Sequence, residues 1–366
     1  MLAYLVHMLA SLVRMLASLV RVSATPASTA TGESAYEALR VAVFPWLRGR
    51  RIRKKERLEK ARLLAKAISA SDCSSLALRR DGGVACWGSL HPTEPWLLAN
   101  LYNGISNGDG QAPPAGVPGN FVEIAAGGAH SLALRVDGGV ACWGRNDRGQ
   151  APPDGVDGDF VAIAAGRTHS LALRVDGRIA CWGENEYGPV DLSDDFDDVD
   201  GNFVAIAAGA VHSLALRRDG RIECSGSNLY GQAPSPWWSG AVDGDFVAIA
   251  AGGAHSLALR RDGRIACWGD NEDGQAPPAG VPGNFVAIAA GNAHSLALRV
   301  DGSVACWGSN GDGQAPPDGV PGNFVAIAAG HGHSLALRVD GSIACWGWNE
   351  NGQAPPDGVT GPFGHV

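Results

Sequence analysis

A short phrase, Cys-Trp-Gly or a close variant of it, recurs seven times along this chain of 366 residues. The phrases begin at Cys86, Cys142, Cys181, Cys224, Cys267, Cys306 and Cys345. From the second phrase onward the steps are 39, 43, 43, 39 and 39 residues, and the first step of 56 residues carries an insertion. A fixed period of this length indicates a repeat fold, in which each copy forms one supersecondary unit.

Each copy has the pattern of short β-strands. In the copy from Phe285 to Pro317, a Phe-Val-Ala-Ile-Ala-Ala run precedes a His-Ser-Leu-Ala-Leu-Arg run, an Asp-Gly pair and a Val-Ala-Cys-Trp-Gly run. Asp301-Gly302 suits a tight two-residue hairpin turn. Seven units of three or four short antiparallel strands close most economically into a ring. The sequence therefore predicts an all-β fold, a seven-bladed β-propeller.

The first copy is degenerate. Residues Ile68 to Leu78 stand where later copies have Ile-Ala-Ala-Gly-x-x-His-Ser-Leu-Ala-Leu, and Ser74 takes the place of the histidine. Because the cycle begins at Ile68 and ends after Pro356, we expect one blade to take strands from both ends of the chain and so to lock the ring. The predicted domains are an N-terminal extension, residues 1–66, and a propeller, residues 67–366.

The repeat resembles that of the regulator of chromosome condensation family. The shared features are a Gly-x-x-His-Ser/Thr step, an Asp-Gly hairpin, an aromatic-Gly step and an Asn-x-x-Gly-Gln segment, over roughly residues 67 to 362. The resemblance implies a seven-bladed propeller but no single role, since one fold hosts many tasks. Members of the family include exchange factors for a Ran-type small GTPase, a plant ultraviolet-B photoreceptor and domains of ubiquitin ligases.

The resemblance also implies where such roles would reside. Exchange factors of this family use acidic and histidine side chains in the Gly-x-x-His turns, and of the two variable residues in each turn of this chain only Asp72 is acidic. The photoreceptor would need a tryptophan there, and no copy has one. We therefore expect a non-enzymatic protein-interaction scaffold, with nucleotide exchange on a small GTPase as the alternative.

Six histidines occupy equivalent places in the copies after the first. They are His130, His169, His212, His255, His294 and His333. Six imidazoles could converge on an axis and bind a metal. A side chain that is repeated in every blade, however, usually has a structural role that every blade requires. We interpret these histidines as structural residues that bond a neighbouring loop backbone. No Ser/His/Asp constellation or phosphate-binding loop stands apart from the repeat, so the sequence predicts no catalytic residue, cofactor or metal.

The eight cysteines follow the repeat as well: seven occupy equivalent places and Cys73 is the remainder. No second cysteine recurs within a copy, so we interpret them as small buried apolar residues. A reducing, intracellular location, cytoplasmic or nuclear, fits this usage best. We expect a monomer.

The two parts of the chain differ in charge. Residues 1–66 carry 13 basic and 4 acidic residues, a net charge of +9, which leaves −17 for the rest of a chain whose total is −8. Nine lysines and arginines fall between residues 48 and 62. The segment includes Arg50, Arg51, Arg53, Lys54, Lys55 and Arg57. It can neutralise phosphates, bind an acidic partner or act as a nuclear-import signal, which makes chromatin or nucleic-acid association a second alternative, or it can be a solvated, partly helical segment.

Residues 1–21 form three apolar heptads. A basic or ionisable residue at every seventh position interrupts them, which argues against a membrane span. The Ser/Thr-rich stretch over residues 23–31 and the absence of acidic residues before Glu33 fit an organelle transit peptide. A short tandem duplication without a targeting role is the other interpretation.

A specific partner needs asymmetry, and the copies differ in three places. These are an insertion over residues 89–110, an acidic stretch over residues 191–200, and an aromatic segment over residues 230–238. The acidic stretch misses the spacing of a calcium loop and is interpreted as a solvated loop. Exposed aromatic residues frequently anchor protein interfaces. The candidate partner-binding residues are Trp96, Tyr102, Tyr230, Trp237 and Trp238.

Overall fold

A computed structural model of the chain describes residues 66–88, 110–184, 202–234 and 242–364. These residues form seven antiparallel sheets of three strands each, and the strands of a sheet follow one another in sequence. No helix occurs in these four ranges. The predicted all-β architecture of seven blades is confirmed, whereas residues 1–65 of the N-terminal extension lie outside the described residues.

The blades are numbered 1 to 7 along the chain. Their inner strands are β1 (Ile68–Ala70), β4 (Phe121–Ala126), β7 (Phe160–Ala165), β10 (Phe203–Ala208), β13 (Phe246–Ala251), β16 (Phe285–Ala290) and β19 (Phe324–Ala329). Their middle strands are β2 (Ser75–Leu78), β5 (His130–Arg135), β8 (His169–Arg174), β11 (His212–Arg217), β14 (His255–Arg260), β17 (His294–Arg299) and β20 (His333–Arg338). Their outer strands are β3 (Val84–Trp87), β6 (Val140–Gly144), β9 (Ile179–Gly183), β12 (Ile222–Gly226), β15 (Ile265–Gly269), β18 (Val304–Gly308) and β21 (Ile343–Gly347).

The middle strands form the core because both of their faces are covered by neighbouring blades. Successive side chains of a strand point to opposite faces. In β5, Leu132 and Leu134 pack with Phe160 of the next blade, and in β8 Ala172 packs into the same cluster from the other side. A large residue on one blade thus meets a small one on the next, which explains the recurring Leu-Ala-Leu triplet.

The hairpin between middle and outer strands differs from the predicted two-residue turn. The N–H of Gly138 donates to the carbonyl of Arg135, and the N–H of Arg135 donates to the carbonyl of Gly139, so the turn has a longer form closed by a glycine bulge. Gly138 supplies the required positive φ of 90°. The Oδ1 atom of Asp137 accepts a bond from the N–H of Gly139 at 3.0 Å, which favours this form of the turn.

The Asn-x-x-Gly-Gln segment is a loop that joins each blade to the next. In blade 5, Asn271 Oδ1 accepts from the N–H of Ala276 at 2.9 Å and Gln275 Oε1 accepts from the N–H of Asp273 at 3.0 Å. Both side chains therefore hold the loop in shape. The backbone carbonyl of Gln275 then accepts from the indole Nε1–H of Trp307 in blade 6, at 2.9 Å.

The two ends of the propeller meet at blade 1. All three strands of this blade come from residues 68–87, so the expected blade with strands from both ends does not form, and the C-terminal segment adds an isolated bridge instead. Phe363 pairs with Arg79, just as Phe121 pairs with Arg135 in blade 2. The C-terminal segment thereby supplies the phenylalanine that the degenerate first copy lacks. The indole of Trp87 donates to the carbonyl of Gln353 at 3.0 Å, so the last loop closes the ring onto the first blade.

Candidate functional site

The ring has two faces, which we name by the turns they carry. The loop face carries the Gly-x-x-His turns and the Asn-x-x-Gly-Gln loops, and the hairpin face carries the Asp-Gly turns. At the loop face a cavity of about 330 Å³ opens into the channel along the axis. The Gly-x-x-His turns of blades 2 to 7 and the equivalent Ser71–Ser74 turn of blade 1 line it. We call this opening the mouth.

Behind the wall of the mouth, each repeated histidine bonds a serine of the following blade. The Nε2 atom of His255 lies 3.0 Å from Oγ of Ser295, and that hydroxyl donates to the carbonyl of Gln275 at 2.9 Å. The same histidine–serine contact, at 2.9 to 3.0 Å, occurs for all six histidines. The histidine therefore reaches the loop backbone through a serine hydroxyl rather than directly.

This geometry fixes the form of the imidazole. A carbonyl oxygen only accepts, so the Ser295 hydroxyl must use its single proton toward Gln275 and accept the proton on His255 Nε2. Burial lowers the pKa of His255 from 6.5 to about 4 and, together with the nearby His169, lowers that of His130 to about 3. A neutral imidazole that already donates to the serine cannot act as its general base. These Ser–His pairs hold blades together.

Glycine begins the turn in the six blades that carry the histidine, because the backbones of neighbouring blades approach closely there. A Cβ at Gly291 would lie 2.3 Å from Cε1 of His294 and 2.5 Å from the carbonyl oxygen of Gly330 in the next blade. The space for a side chain is therefore taken on both sides. The glycine of the Gly-x-x-His turn is therefore explained by the close contact between neighbouring blades.

The recurrent cysteines are poorly suited to chemistry. Burial raises the pKa of Cys267 from 9.0 to about 12, and the same cause raises the pKa of Cys306 to about 12. The reactive thiolate form is thus disfavoured. No group of three or more His, Cys, Asp or Glu side chains in the described ranges is placed to hold a metal ion.

Side chains differ between blades at the position that follows the glycine of each turn, or Ser71 in blade 1. Around the mouth, blades 1 to 7 carry Asp72, Gly128, Arg167, Ala210, Gly253, Asn292 and His331. Nδ1 of His331 lies 3.8 Å from Oδ1 of Asp72. Burial raises the pKa of Asp72, while the charges of His331 and Arg167 act against that rise. The polar groups gather in one sector, from blade 6 through blade 1 to blade 3.

A second asymmetry lies in the loop of blade 4 on the same face. Leu229 is 85% exposed and Tyr230 is 56% exposed, whereas Glu272 and Asp273 occupy the equivalent places in blade 5. The neighbouring junction, between blades 3 and 4, also departs from the repeat, with Ser225 in place of the tryptophan. The sequence after Gly188 has Pro-Val where other copies have Gln-Ala.

Of the predicted partner-binding residues, the structure describes only Tyr230. Trp96, Tyr102, Trp237, Trp238, the basic segment and the acidic stretch lie outside the described residues. Leu229 was not anticipated, although its departure from the charged or small residues at this place in other copies could have revealed it. The described part of the chain contains no helix with the length and apolar content to cross a membrane.

Comparison with known proteins supports the repeat. Six segments match the model of the Regulator of chromosome condensation (RCC1) repeat: residues 121–150, 160–188, 203–232, 246–275, 285–314 and 324–353. Among curated proteins, none is significantly similar in sequence to this chain.

Solved structures share the architecture. Prp20p of Saccharomyces cerevisiae has a TM-score of 0.52 at 24% identity, over 67% of this chain and 75% of its own. The CRINKLY WD40 ectodomain of the Arabidopsis thaliana receptor kinase ACR4 has a TM-score of 0.58 at 22% identity, over 80% and 98%. Human WBSCR16 has a TM-score of 0.57 at 20% identity, over 74% and 85%. At these identities the likeness establishes the fold alone.

Proposed function

The chain belongs to the family of regulator of chromosome condensation repeats, and from this premise we propose that it is a non-enzymatic platform that binds a protein partner through its loop face. The observation that carries the proposal is the exposed Leu229–Tyr230 pair. A large apolar side chain that is 85% exposed and an adjacent half-exposed tyrosine are typical of interface anchors.

The repeat itself strengthens this reasoning. The Asn-x-x-Gly-Gln loop does not require apolar residues at its two variable positions, because blade 5 forms the same loop with Glu272 and Asp273. The Asn228 and Gln232 side chains hold the loop of blade 4 by the same two bonds, to Ala233 and Tyr230. The side chains of Leu229 and Tyr230 are thus not needed to form the loop, which favours a role in binding at the surface.

The charge of the loop face favours a basic partner. Its described Asn-x-x-Gly-Gln loops, taken with the residue before each asparagine, include Asp147, Asp270, Glu272, Asp273 and Glu350. Arg145 and Arg148 are the basic residues of those loops, and Arg145 is paired with Asp147 at 2.7 Å. A negative surface around an apolar anchor attracts a partner with positive charge around an apolar pocket.

Site-specific photo-crosslinking tests the proposal. A photoreactive phenylalanine analogue is placed at position 230, and in a matched protein at position 273, the equivalent place in blade 5. In extracts of the source cells, position 230 should yield one dominant cross-linked protein that position 273 does not yield. The purified protein should then bind the full chain directly. Equal products from both positions, or no direct binding, would contradict the proposal.

Nucleotide exchange is the alternative function. Prp20p of Saccharomyces cerevisiae binds Gsp1p and histones, and the mouth of this ring places an acid, Asp72, 3.8 Å from His331. We expect no acceleration of nucleotide release from a Ran-type GTPase, because Asp72 is the one acidic residue among the described Gly-x-x-His turns. Measured acceleration that is lost in Asp72→Gly would establish exchange instead.

Association with nucleic acid through residues 48–62 remains a separate prediction from sequence. Binding to duplex DNA that weakens steeply with salt and disappears on removal of residues 1–66 would support it. Undetectable binding at low salt would remove it.

A further inference from the structure

The mouth holds charged groups that the repeat does not explain. Three other blades carry only Gly128, Ala210 or Gly253 at the same position, so closure of the ring requires no polar side chain there. Asp72 and Arg167 nevertheless face the same opening, two blades apart. The charge of Arg167 acts on Asp72, yet no ion pair joins them among the described residues.

Each of these two groups has capacity for a further partner. Arg167 is exposed and makes no hydrogen bond with any described residue. Asp72 has His331 at 3.8 Å, which is beyond hydrogen-bond distance, and its side chain is 22% exposed. The burial that raises its pKa is therefore incompletely compensated, and an added cation would favour the carboxylate.

Between the two charges the wall is bare backbone. Blade 2 contributes Gly128 there, and a Cβ at that residue would lie 2.8 Å from the carbonyl oxygen of Arg167 and 3.1 Å from its Cγ. The absence of a side chain leaves Arg167 packed directly on blade 2. A small group that bridges the guanidinium and the carboxylate would lie across this glycine.

Below the charged sector the lining side chains are small. They are mainly the alanines that end the inner strands, among them Ala126, Ala165, Ala208, Ala251 and Ala329. The volume of about 330 Å³ falls at the small end of the range for small-molecule sites. An occupant would thus have opposite charges at one end and an apolar group at the other.

We propose that the mouth binds a free α-amino acid with an apolar side chain. Its ammonium group pairs with Asp72, its carboxylate pairs with Arg167, and its side chain points down the axis into the alanine ring. His331 lies beside Asp72 and forms the edge of the proposed site on the side of blade 7. The site does not include Leu229 or Tyr230, so the proposal of amino-acid binding does not depend on the proposal of partner binding.

Calorimetric titration of the full chain tests this site. L-leucine, L-methionine and L-phenylalanine are the probes, each with its methyl ester, which lacks the carboxylate, and its N-acetyl derivative, which lacks the ammonium. At least one free amino acid should bind saturably, and both of its blocked forms should bind about tenfold or more weakly, as expected for loss of a charge-assisted hydrogen bond.

Variants copied from other blades provide the controls. Arg167→Gly and Asp72→Gly introduce the residue of blades 2 and 5, and each should weaken binding by about tenfold or more. Ala210→Gly alters the same ring away from the charges and should leave binding unchanged. Thermal unfolding verifies each fold, and Arg167→Ala and Asp72→Asn replace any variant that melts early. No saturable binding by any probe, equal binding of blocked forms, or binding insensitive to Arg167 and Asp72 would overturn the proposal.

Discussion

The junction between blades 5 and 6 and the junction between blades 3 and 4 come from the same repeat but differ in their bonds. At the first, His255 contacts Ser295 at 3.0 Å and Trp307 donates to the carbonyl of Gln275 at 2.9 Å. At the second, the histidine contact is kept, with His169 2.9 Å from its serine. The tryptophan, however, is replaced by Ser225.

The comparison separates two kinds of repeated residue. The histidine–serine bond joins the starts of two middle strands inside the ring. It is kept at the junction of blades 3 and 4, but the junction of blades 1 and 2 lacks it, because Ser74 replaces the histidine there. The tryptophan lies on an outer strand, and it is lost at the junction that also receives the acidic insertion over residues 191–200. Either bond can therefore be lost at one junction while the other remains, since Trp143 still donates to the carbonyl of Gln111 at 2.9 Å between blades 1 and 2.

Acidification should break both kinds of junction together, and this is the largest effect that we expect. Burial lowers the pKa of His212, His294 and His333 to about 3 and that of His169 to about 4. The unfolded chain then binds more protons than the folded chain as pH falls below 6.5. In that window, each histidine lowers the free energy of unfolding by about 1.4 kcal/mol for every pH unit. Six histidines together lower it by about 8 kcal/mol per pH unit.

The buried carboxyls act in the opposite direction but are fewer. Burial raises the pKa of Glu123 and Asp72, which favours the folded state as pH falls. Circular dichroism from pH 7 to 4 should therefore show cooperative unfolding, with the uptake of about six protons measured by titration. A native spectrum and native thermal stability at pH 4 would contradict the assignment of six neutral histidines.

Removing the closing residue should have the next largest effect. Phe363 is 7% exposed, pairs with Arg79 and lies 6.4 Å from the ring of Trp87. Phe363→Ala should lower the free energy of unfolding by about 3 kcal/mol, the usual cost of deleting a buried phenylalanine. Denaturant unfolding measures this loss, with Val339→Ala, an exposed site, as the neutral control. A loss equal to that of the control would show that the C-terminal segment does not lock the ring.

Introducing the serine of the junction between blades 3 and 4 into the junction between blades 5 and 6 should lower the free energy of unfolding by less than Phe363→Ala does. Trp307→Ser gives blade 6 the residue of blade 4 and leaves the contact between His255 and Ser295 in place. We expect a loss of about 2 kcal/mol, because the indole is partly exposed and its hydrogen bond to Gln275 is removed. Chemical denaturation is the measurement, and complete unfolding of this variant would show that the tryptophan belongs to the essential interior after all.

Much of this architecture was predictable because the same strand pattern occurs in several copies along the chain. Seven copies with one period predicted seven blades. The degenerate first copy led us to expect a blade with strands from both ends, whereas the C-terminal segment closes the ring only through the bridge of Phe363 to Arg79 and the bond of Gln353 with Trp87. The hairpin turn was not predictable from Asp-Gly alone, since that pair serves both a two-residue turn and the longer turn closed by Gly138.

The mouth illustrates a different limit. Asp72 and His331 come from the first and last copies, and they approach each other only because the ring closes. Within its own copy each is one variable residue in a turn, with no local pattern to single it out. The histidine contacts were partly foreseen as structural, but the intervening serine emerged only from the placement of one blade against the next.

The central claim is that the copies that depart from the repeat carry the binding function and the identical ones carry the ring. Leu229→Glu/Tyr230→Asp rewrites the loop of blade 4 as that of blade 5, and Glu272→Ala/Asp273→Ala is its counterpart in blade 5. Affinity for the protein cross-linked at position 230, measured with thermal stability, tests the claim. The first variant should lose about tenfold or more in affinity, with stability changed by less than about 0.5 kcal/mol, and the second should retain binding. Full affinity in the first variant, or equal loss in both, would contradict it.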